Sequence, residues 1–153
     1  MAHVLDSFKH RVLDRIGLHG YPFKGCDFYN SIVQGTWVAN LDATQIYALY
    51  FQNAPPAQND EINYKLFHKA GTYTLVLLHM AGNNRAIATV IIDGVVQGTI
   101  DTYNAAAAVH NVYSTLPVTF LTDGEHTINF KAATRNGAST NWYLGLTAFS
   151  FRD

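Results

Sequence analysis

Aromatic rings and side-chain amides adjoin one another at three places in the sequence, which are residues 50–53, 103–104 and 141–143. This combination suits the recognition of a sugar, because a ring covers the C–H face of the sugar while amides hydrogen-bond its hydroxyl groups. The glycan-binding residues predicted in this way are Tyr103, Asn104, Asn141 and Trp142. The same rings would also suit the end of a hydrophobic core or a contact with a neighbouring subunit, so these alternatives stay open.

The other groups that could do chemistry do not form a recognisable set. The seven histidines lack the spacings that bring two metal ligands together on a strand or a helix, and Cys26 is the only cysteine. No pair of carboxylates is placed for acid–base hydrolysis. Asp60 and Glu61 are a weak candidate for a Ca²⁺ site at the entry to a strand. We therefore predict a non-enzymatic protein without a cofactor.

The composition limits the classes of partner. Charged residues make up 14% of the chain, against about 25% in an average soluble domain. Subunit interfaces are poor in charge and rich in aromatic residues, so this composition favours an oligomer, although a monomer with an uncharged polar surface is the alternative. The net charge of −1 gives no basic surface for nucleic acid, and no apolar run is long enough to cross a membrane. Neither nucleic acid nor a membrane is therefore an expected partner.

Residues 1–44 are predicted to form an N-terminal arm. Its first part carries apolar residues at spacings of three, four and four, which is typical of an amphipathic helix, at Leu5, Phe8, Val12 and Ile16. Charged residues among the first 20 interrupt any secretory signal, and a single cysteine suits synthesis in a cytosol. The apolar stripe could pack on its own domain or on another subunit.

Residues 45–153 are predicted to form an antiparallel β-sandwich. Short alternations of apolar and polar residues are separated by turn residues, and Asp93–Gly94 is a strong signal for a two-residue hairpin. Pro117 indicates an edge strand or a bulge. About eight strands without β-α-β alternation favour an all-β fold of two sheets, with a jelly roll as the natural solution. The eight predicted strands span 45–51, 61–67, 72–80, 86–92, 95–101, 111–120, 126–131 and 142–151.

The stretch from about Tyr50 to Phe151 resembles a galactose-binding-like jelly-roll domain, as found in carbohydrate-binding modules and in phage virion proteins. The resemblance is carried, in this order, by NDEINYKLFHKAGTYTLVLL, NNRAIATVIIDGVVQGTIDTY and DGEHTINFKAATRNGASTNWYLGLTAFSFRD. The resemblance to phage virion proteins implies that the chain is part of a tail fibre or of a capsid decoration protein. The resemblance to carbohydrate-binding modules implies an aromatic residue at a loop edge that stacks on sugar, here Trp142, with Tyr103 as the second candidate.

An arm joined to a jelly roll leads to the hypothesis of a phage capsid decoration (cement) protein. Such a protein would be made in the host cytoplasm and lie on the capsid surface of the virion, with the major capsid protein and its own copies, as a homotrimer, for partners. The predicted contact residues are Leu5, Phe8, Val12, Ile16, Phe23, Phe28 and Tyr29. The alternative hypothesis is a carbohydrate-binding or receptor-binding tail module that recognises a glycan through its loop aromatics.

Overall fold

The computed structural model describes the chain at residues 23–24, 30–41 and 49–153, with side chains at 32–40 and 50–153. Within these ranges every regular element is a β-strand, and there are eleven of them. The strands are β1 (Phe23–Lys24), β2 (Asn30–Gln34), β3 (Trp37–Leu41), β4 (Leu49–Asn53), β5 (Glu61–His68), β6 (Gly71–Ala81), β7 (Ala86–Ile92), β8 (Val95–Asp101), β9 (Val109–Phe120), β10 (Gly124–Arg135) and β11 (Gly145–Arg152). The described ranges contain no helix that is long and apolar enough to cross a membrane.

The strands form two antiparallel sheets. One sheet has the order β3-β4-β11-β6-β9, with β1 also paired to β11, and the other has the order β2-β5-β10-β7-β8. The predicted all-β, antiparallel, two-sheet architecture is therefore confirmed. The prediction of about eight strands was too low, since β4 to β11 correspond to those eight and β1, β2 and β3 are additional.

The additional strands lie in the part of the sequence that was assigned to the arm. β2 pairs with β5 and β3 pairs with β4, so residues 30–41 contribute one strand to each sheet. Trp37 packs in the core, where its ring stacks on Phe51 at a centroid distance of 5.9 Å. The β-sheets thus begin before residue 45. The predicted helix at residues 5–16 lies outside the described residues.

The core lies between the sheets because alternate residues of each strand point inward. In β5 the buried positions are Ile62, Tyr64 and Leu66, as the alternation predicts. Their counterparts on the facing sheet include Phe149, whose ring meets the ring of Tyr64 edge-on at 5.2 Å. β9 lies at the edge of its sheet and contains Pro117, in agreement with the prediction that this strand is an edge strand.

The hairpin predicted at Asp93–Gly94 joins β7 and β8, with Ile92 paired to Val95. Both turn residues have positive φ, 49° for Asp93 and 81° for Gly94, which is what this turn requires. The Asp93 carboxylate also accepts hydrogen bonds from the Thr127 amide and from the ring of His126, which is buried. Burial alone would raise the pKa of Asp93, but these hydrogen bonds lower it below its usual value.

The pH dependence of unfolding tests this contact. Asp93→Asn keeps a residue that tolerates positive φ but removes the charge. Because the pKa of Asp93 is lowered in the folded state, the stabilisation is complete above the unfolded value of 3.8 and is lost as the pH falls through the folded value. In urea titrations the variant should be less stable than the wild type at pH 7, and this difference should shrink under acid conditions. Asp153→Asn, at the exposed chain end, is the control that should show no such trend.

Candidate functional site

Five connections between the two sheets lie at one end of the sandwich, which we call the loop end. One is the two-residue turn 35–36 between β2 and β3, and the four longer ones are residues 54–60 between β4 and β5, 82–85 between β6 and β7, 102–108 between β8 and β9, and 136–144 between β10 and β11. The register places them together, because Gly145 at the start of β11 pairs with Met80 near the end of β6 and with Gln52 near the end of β4. The strands therefore bring five separate parts of the sequence to one surface.

The 82–85 loop lies between two of the others and bonds to both. On one side, Gly82 forms a β-bridge with Tyr103 and accepts a hydrogen bond from the Asn104 amide. On the other side, the 82–85 loop accepts hydrogen bonds from Thr140 and Tyr143, the residues that flank Asn141 and Trp142. The structure thus brings the four residues that were predicted to bind a glycan to the two sides of one short loop.

The amide side chains of Asn104 and Asn141 shape their own loops. The Oδ1 of Asn104 accepts a hydrogen bond from the Ala106 amide at 2.9 Å, and the Oδ1 of Asn141 accepts one from the Trp142 amide at 2.9 Å. Their NH₂ groups have no hydrogen-bond acceptor within the described part of the chain. These two asparagines can therefore donate hydrogen bonds to a bound molecule.

Two arginines lie against the neighbouring rings of the 136–144 loop. The guanidinium carbon of Arg135 is 5.1 Å from the ring centroid of Trp142, and that of Arg85 is 5.5 Å from the centroid of Tyr143. Both distances suit a cation–π interaction. A sugar that stacks on Trp142 would use the face of the ring away from Arg135.

Arg85 is buried, with 5% of its surface exposed. Its guanidinium donates a hydrogen bond to the side-chain oxygen of Gln52, while its Nε atom is buried without an acceptor. Burial lowers the pKa of Arg85, and the neighbouring Tyr50 and Tyr143 oppose this effect. The sequence interpretation did not single out Arg85. Nothing in the local pattern GNNR indicates that its arginine is buried, since the partners lie far away in the sequence.

Asn53 belongs to the third aromatic–amide group of the sequence, but it is fully buried and cannot contact a ligand. Its Nδ2 donates to Asp60 at 2.8 Å and to the Trp142 carbonyl at 3.0 Å, and its Oδ1 accepts from the Leu144 amide at 2.7 Å. Asn53 therefore ties the 136–144 loop to the 54–60 loop. Its hydrogen bond to the Trp142 carbonyl fixes the backbone of Trp142.

The carboxylates of Asp60 and Glu61, the weak calcium candidate from the sequence, both have partners within the described residues. The Oδ2 of Asp60 accepts hydrogen bonds from Asn53 and from the Ala57 amide, while Glu61 accepts one from Asn129 and pairs with Lys131 at 3.3 Å. These contacts support the 54–60 loop and the β5–β10 pair, and the calcium site stays a prediction. In the described residues no group of three or more histidine, cysteine, aspartate or glutamate side chains is placed to hold a metal ion.

The residues predicted to contact a capsid or another subunit are mostly not described. Leu5, Phe8, Val12, Ile16, Phe28 and Tyr29 lie outside the described residues, as does Cys26. Phe23 is described in its backbone alone, which pairs with Phe149 in β1 and β11. Their role in contacts with other chains stays a prediction.

Solved structures share this fold, whereas no protein-family profile and no curated protein matches the sequence. The chain superposes on a Paenibacillus xanthan lyase with a TM-score of 0.73 and 21% identity, over 86% of this chain and 13% of the enzyme. It superposes on the CBM36-1 domain of a multidomain xylanase from the hindgut metagenome of Trinervitermes trinervoides with a TM-score of 0.67 and 16% identity, over 88% of this chain and 98% of the domain. For a carbohydrate-binding module CBM36 in complex with calcium and xylotriose, the TM-score is 0.56 and the identity 13%, over 86% and 98% of the two chains.

These similarities show the fold, which is the jelly-roll β-sandwich of carbohydrate-binding modules. The resemblance predicted from the sequence is confirmed to that extent. The link to phage virion proteins stays a prediction.

The hydrogen bonds of Asn53 give a stability prediction for the loop end. Asn53→Ala leaves the Leu144 amide and the Trp142 carbonyl without their side-chain partner and should lower the free energy of unfolding by about 3 kcal/mol. Gln58→Ala is the matched control, because it removes one exposed hydrogen bond to the Ala133 carbonyl and should cost less than about 0.5 kcal/mol. Equal losses for the two variants in urea titrations would contradict the role given to Asn53.

Proposed function

We propose that the chain is a non-enzymatic carbohydrate-binding module that holds a glycan at the loop end. The observation that carries this proposal is the convergence of Tyr103 and Asn104 from one loop with Asn141 and Trp142 from another, on the two sides of residues 82–85. Rings and amide donors are then present together, as sugar recognition requires.

The contacts of these residues assign them distinct parts in binding. The half-buried Trp142 ring would stack on a sugar ring, with its opposite face held by Arg135. The NH₂ groups of Asn104 and Asn141 would donate hydrogen bonds to sugar hydroxyls, since their oxygens already accept backbone hydrogen bonds. Loops fixed by a rigid sandwich are a common location for binding residues.

The structural neighbours support the proposal. Two of them are carbohydrate-binding modules, and one was determined in complex with calcium and xylotriose. The likeness to this chain extends to the fold, so the presence of a glycan ligand here, and its identity, belong to our proposal.

A binding role also agrees with the hydrogen bonds that the carboxylates accept. Asp60, Glu61 and Asp93 each accept hydrogen bonds from neighbouring donors, and these contacts support loops and turns. We therefore retain the prediction that the protein is not an enzyme.

The capsid-decoration hypothesis receives less support than the glycan-binding alternative. It depends on contacts of residues 1–44, most of which lie outside the described residues, and on a homotrimer with the major capsid protein as partner. The neighbours named above are instead carbohydrate-binding modules and an enzyme. Location on a virion, trimer formation and capsid binding stay predictions from the sequence.

Substitution of Trp142 tests the proposed function. The full chain should be retarded in affinity electrophoresis by at least one polysaccharide in a panel of xylans, mannans, galactans, β-glucans and polyuronates. Trp142→Ala should weaken that binding by about tenfold, which is the loss expected for one aromatic stacking contact. Phe67→Ala is the control, since Phe67 is an exposed aromatic residue that pairs with Glu125 at the opposite end of the sandwich.

Two results would contradict the proposal. The first is the absence of binding to every polysaccharide of the panel. The second is equal binding by the wild type and Trp142→Ala, with circular dichroism showing that the variant is folded.

A further inference from the structure

The loop end carries two guanidinium groups that have no carboxylate partner among the described residues. Elsewhere in the described ranges, Lys65 pairs with Glu125 at 3.8 Å and Lys131 pairs with Glu61 at 3.3 Å. Arg85 and Arg135 instead lie against the rings of Tyr143 and Trp142. Tyr143 and Trp142 are adjacent in one loop, so both guanidinium groups lie at the loop end.

Arg85 contributes a buried charge that its surroundings do not neutralise. Arginine keeps its proton in proteins, and a buried ion is costly unless an opposite charge or a full set of hydrogen bonds compensates it. Gln52 accepts one hydrogen bond from Arg85, Met80 offers only a sulfur atom at 4.0 Å, and the Nε atom has no acceptor. An anion bound close to this guanidinium would therefore gain from an attraction that no described residue satisfies.

Arg135 supplies the accessible group. It is exposed, and its guanidinium is placed over Trp142. A guanidinium can bind both oxygens of a carboxylate through two parallel hydrogen bonds, and it can do so while stacked on an aromatic ring. Because Arg135 lies over one face of Trp142, a polymeric ligand that stacks one sugar on the other face would bring a carboxylate to Arg135 from a neighbouring sugar unit.

The carboxylates near this surface are already engaged by other groups. Asp101 accepts hydrogen bonds from the Tyr103 amide and from the side chain of Asn136, both at 2.9 Å. Asp60 is buried and accepts hydrogen bonds from Asn53 and Ala57. Neither forms an ion pair with Arg85 or Arg135, so the two arginines stay available for a charge brought by the ligand.

We propose that the ligand of the loop end is an acidic glycan, in which the carboxylate of a uronic acid pairs with Arg135 beside Trp142 and Arg85 adds its charge from below. This inference rests on the proposed glycan-binding function and narrows it to one class of sugar. It also accounts for an unpaired buried arginine under aromatic residues that otherwise suit neutral sugars.

Ligands that differ only in charge test the inference. Polygalacturonate, alginate and glucuronoxylan are each compared with their carboxyl-reduced forms, by isothermal titration calorimetry of the full chain. At least one native polymer should bind about tenfold more tightly than its reduced form, and the preference should decrease as the salt concentration rises.

Matched arginine variants locate the contact. Arg135→Gln should weaken binding to the native polymer by about tenfold and leave binding to the reduced polymer unchanged. Arg152→Gln makes the same change of charge at the opposite end of β11, where Arg152 pairs with Thr74, and should have no effect. Arg85→Lys keeps the buried charge and should retain the preference for the native polymer, whereas Arg85→Gln, where it folds, should reduce it.

The outcomes separate this inference from the proposed function. Equal affinity for native and reduced polymers, with loss of both on Trp142→Ala, would overturn the acidic ligand and leave the glycan-binding proposal intact. Equal effects of Arg135→Gln and Arg152→Gln would also overturn it. Binding to no polymer at all would remove both proposals.

Discussion

The buried side chain of Asn53 sets the arrangement on which the loop end depends. It spans the space between Asp60 and the 136–144 loop with three hydrogen bonds of 2.7–3.0 Å. A buried polar group left without a partner costs about 1–3 kcal/mol, so the two loops must keep the positions that satisfy Asn53. Asp60 constrains the β2–β3 turn in addition, because a Cβ atom on Gly35 would lie 2.2 Å from its Oδ1, and the positive φ of 85° also requires glycine there. Gly35, Asp60 and Asn53 thus hold the β2–β3 turn, the 54–60 loop and the 136–144 loop together.

The sandwich explains why separate stretches of sequence meet at this surface. Each of the five connections leaves one sheet and enters the other, so their positions are fixed by strands whose inward faces are buried in the core. The 82–85 loop is four residues long, and its backbone forms hydrogen bonds to neighbours on both sides. Tyr103 and Trp142 are 39 positions apart in the sequence, yet they flank the same loop. The surface chemistry can therefore vary by substitution of exposed side chains while the core maintains the geometry.

Local patterns predicted those elements whose signal lies within a few residues. The alternation of Ile62, Tyr64 and Leu66 identified β5, and the turn at Asp93–Gly94 identified the β7–β8 hairpin, since both depend on rules that act along one strand or turn. β2 and β3 were not recognised as sheet strands because each is five residues long, and they pair with β5 and β4, which come later in the sequence. The candidate residues Tyr103, Asn104, Asn141 and Trp142 could be selected by residue type. Their common surface, and the buried setting of Arg85, depend on long-range pairing that no local pattern contains.

The low charge of the sequence takes on a different meaning once the cations are placed. Beyond residue 24 the sequence has six lysines and arginines, which are Lys65, Lys69, Arg85, Lys131, Arg135 and Arg152. Arg85 and Arg135 contact adjacent aromatic rings of one loop, and neither pairs with a carboxylate within the described ranges. The nearby carboxylates of Asp60 and Asp101 accept hydrogen bonds from neutral donors instead of forming ion pairs with these arginines. The scarcity of charge that favoured a hidden subunit surface therefore also agrees with the proposed anionic ligand, whose charge the two arginines would meet at the loop end.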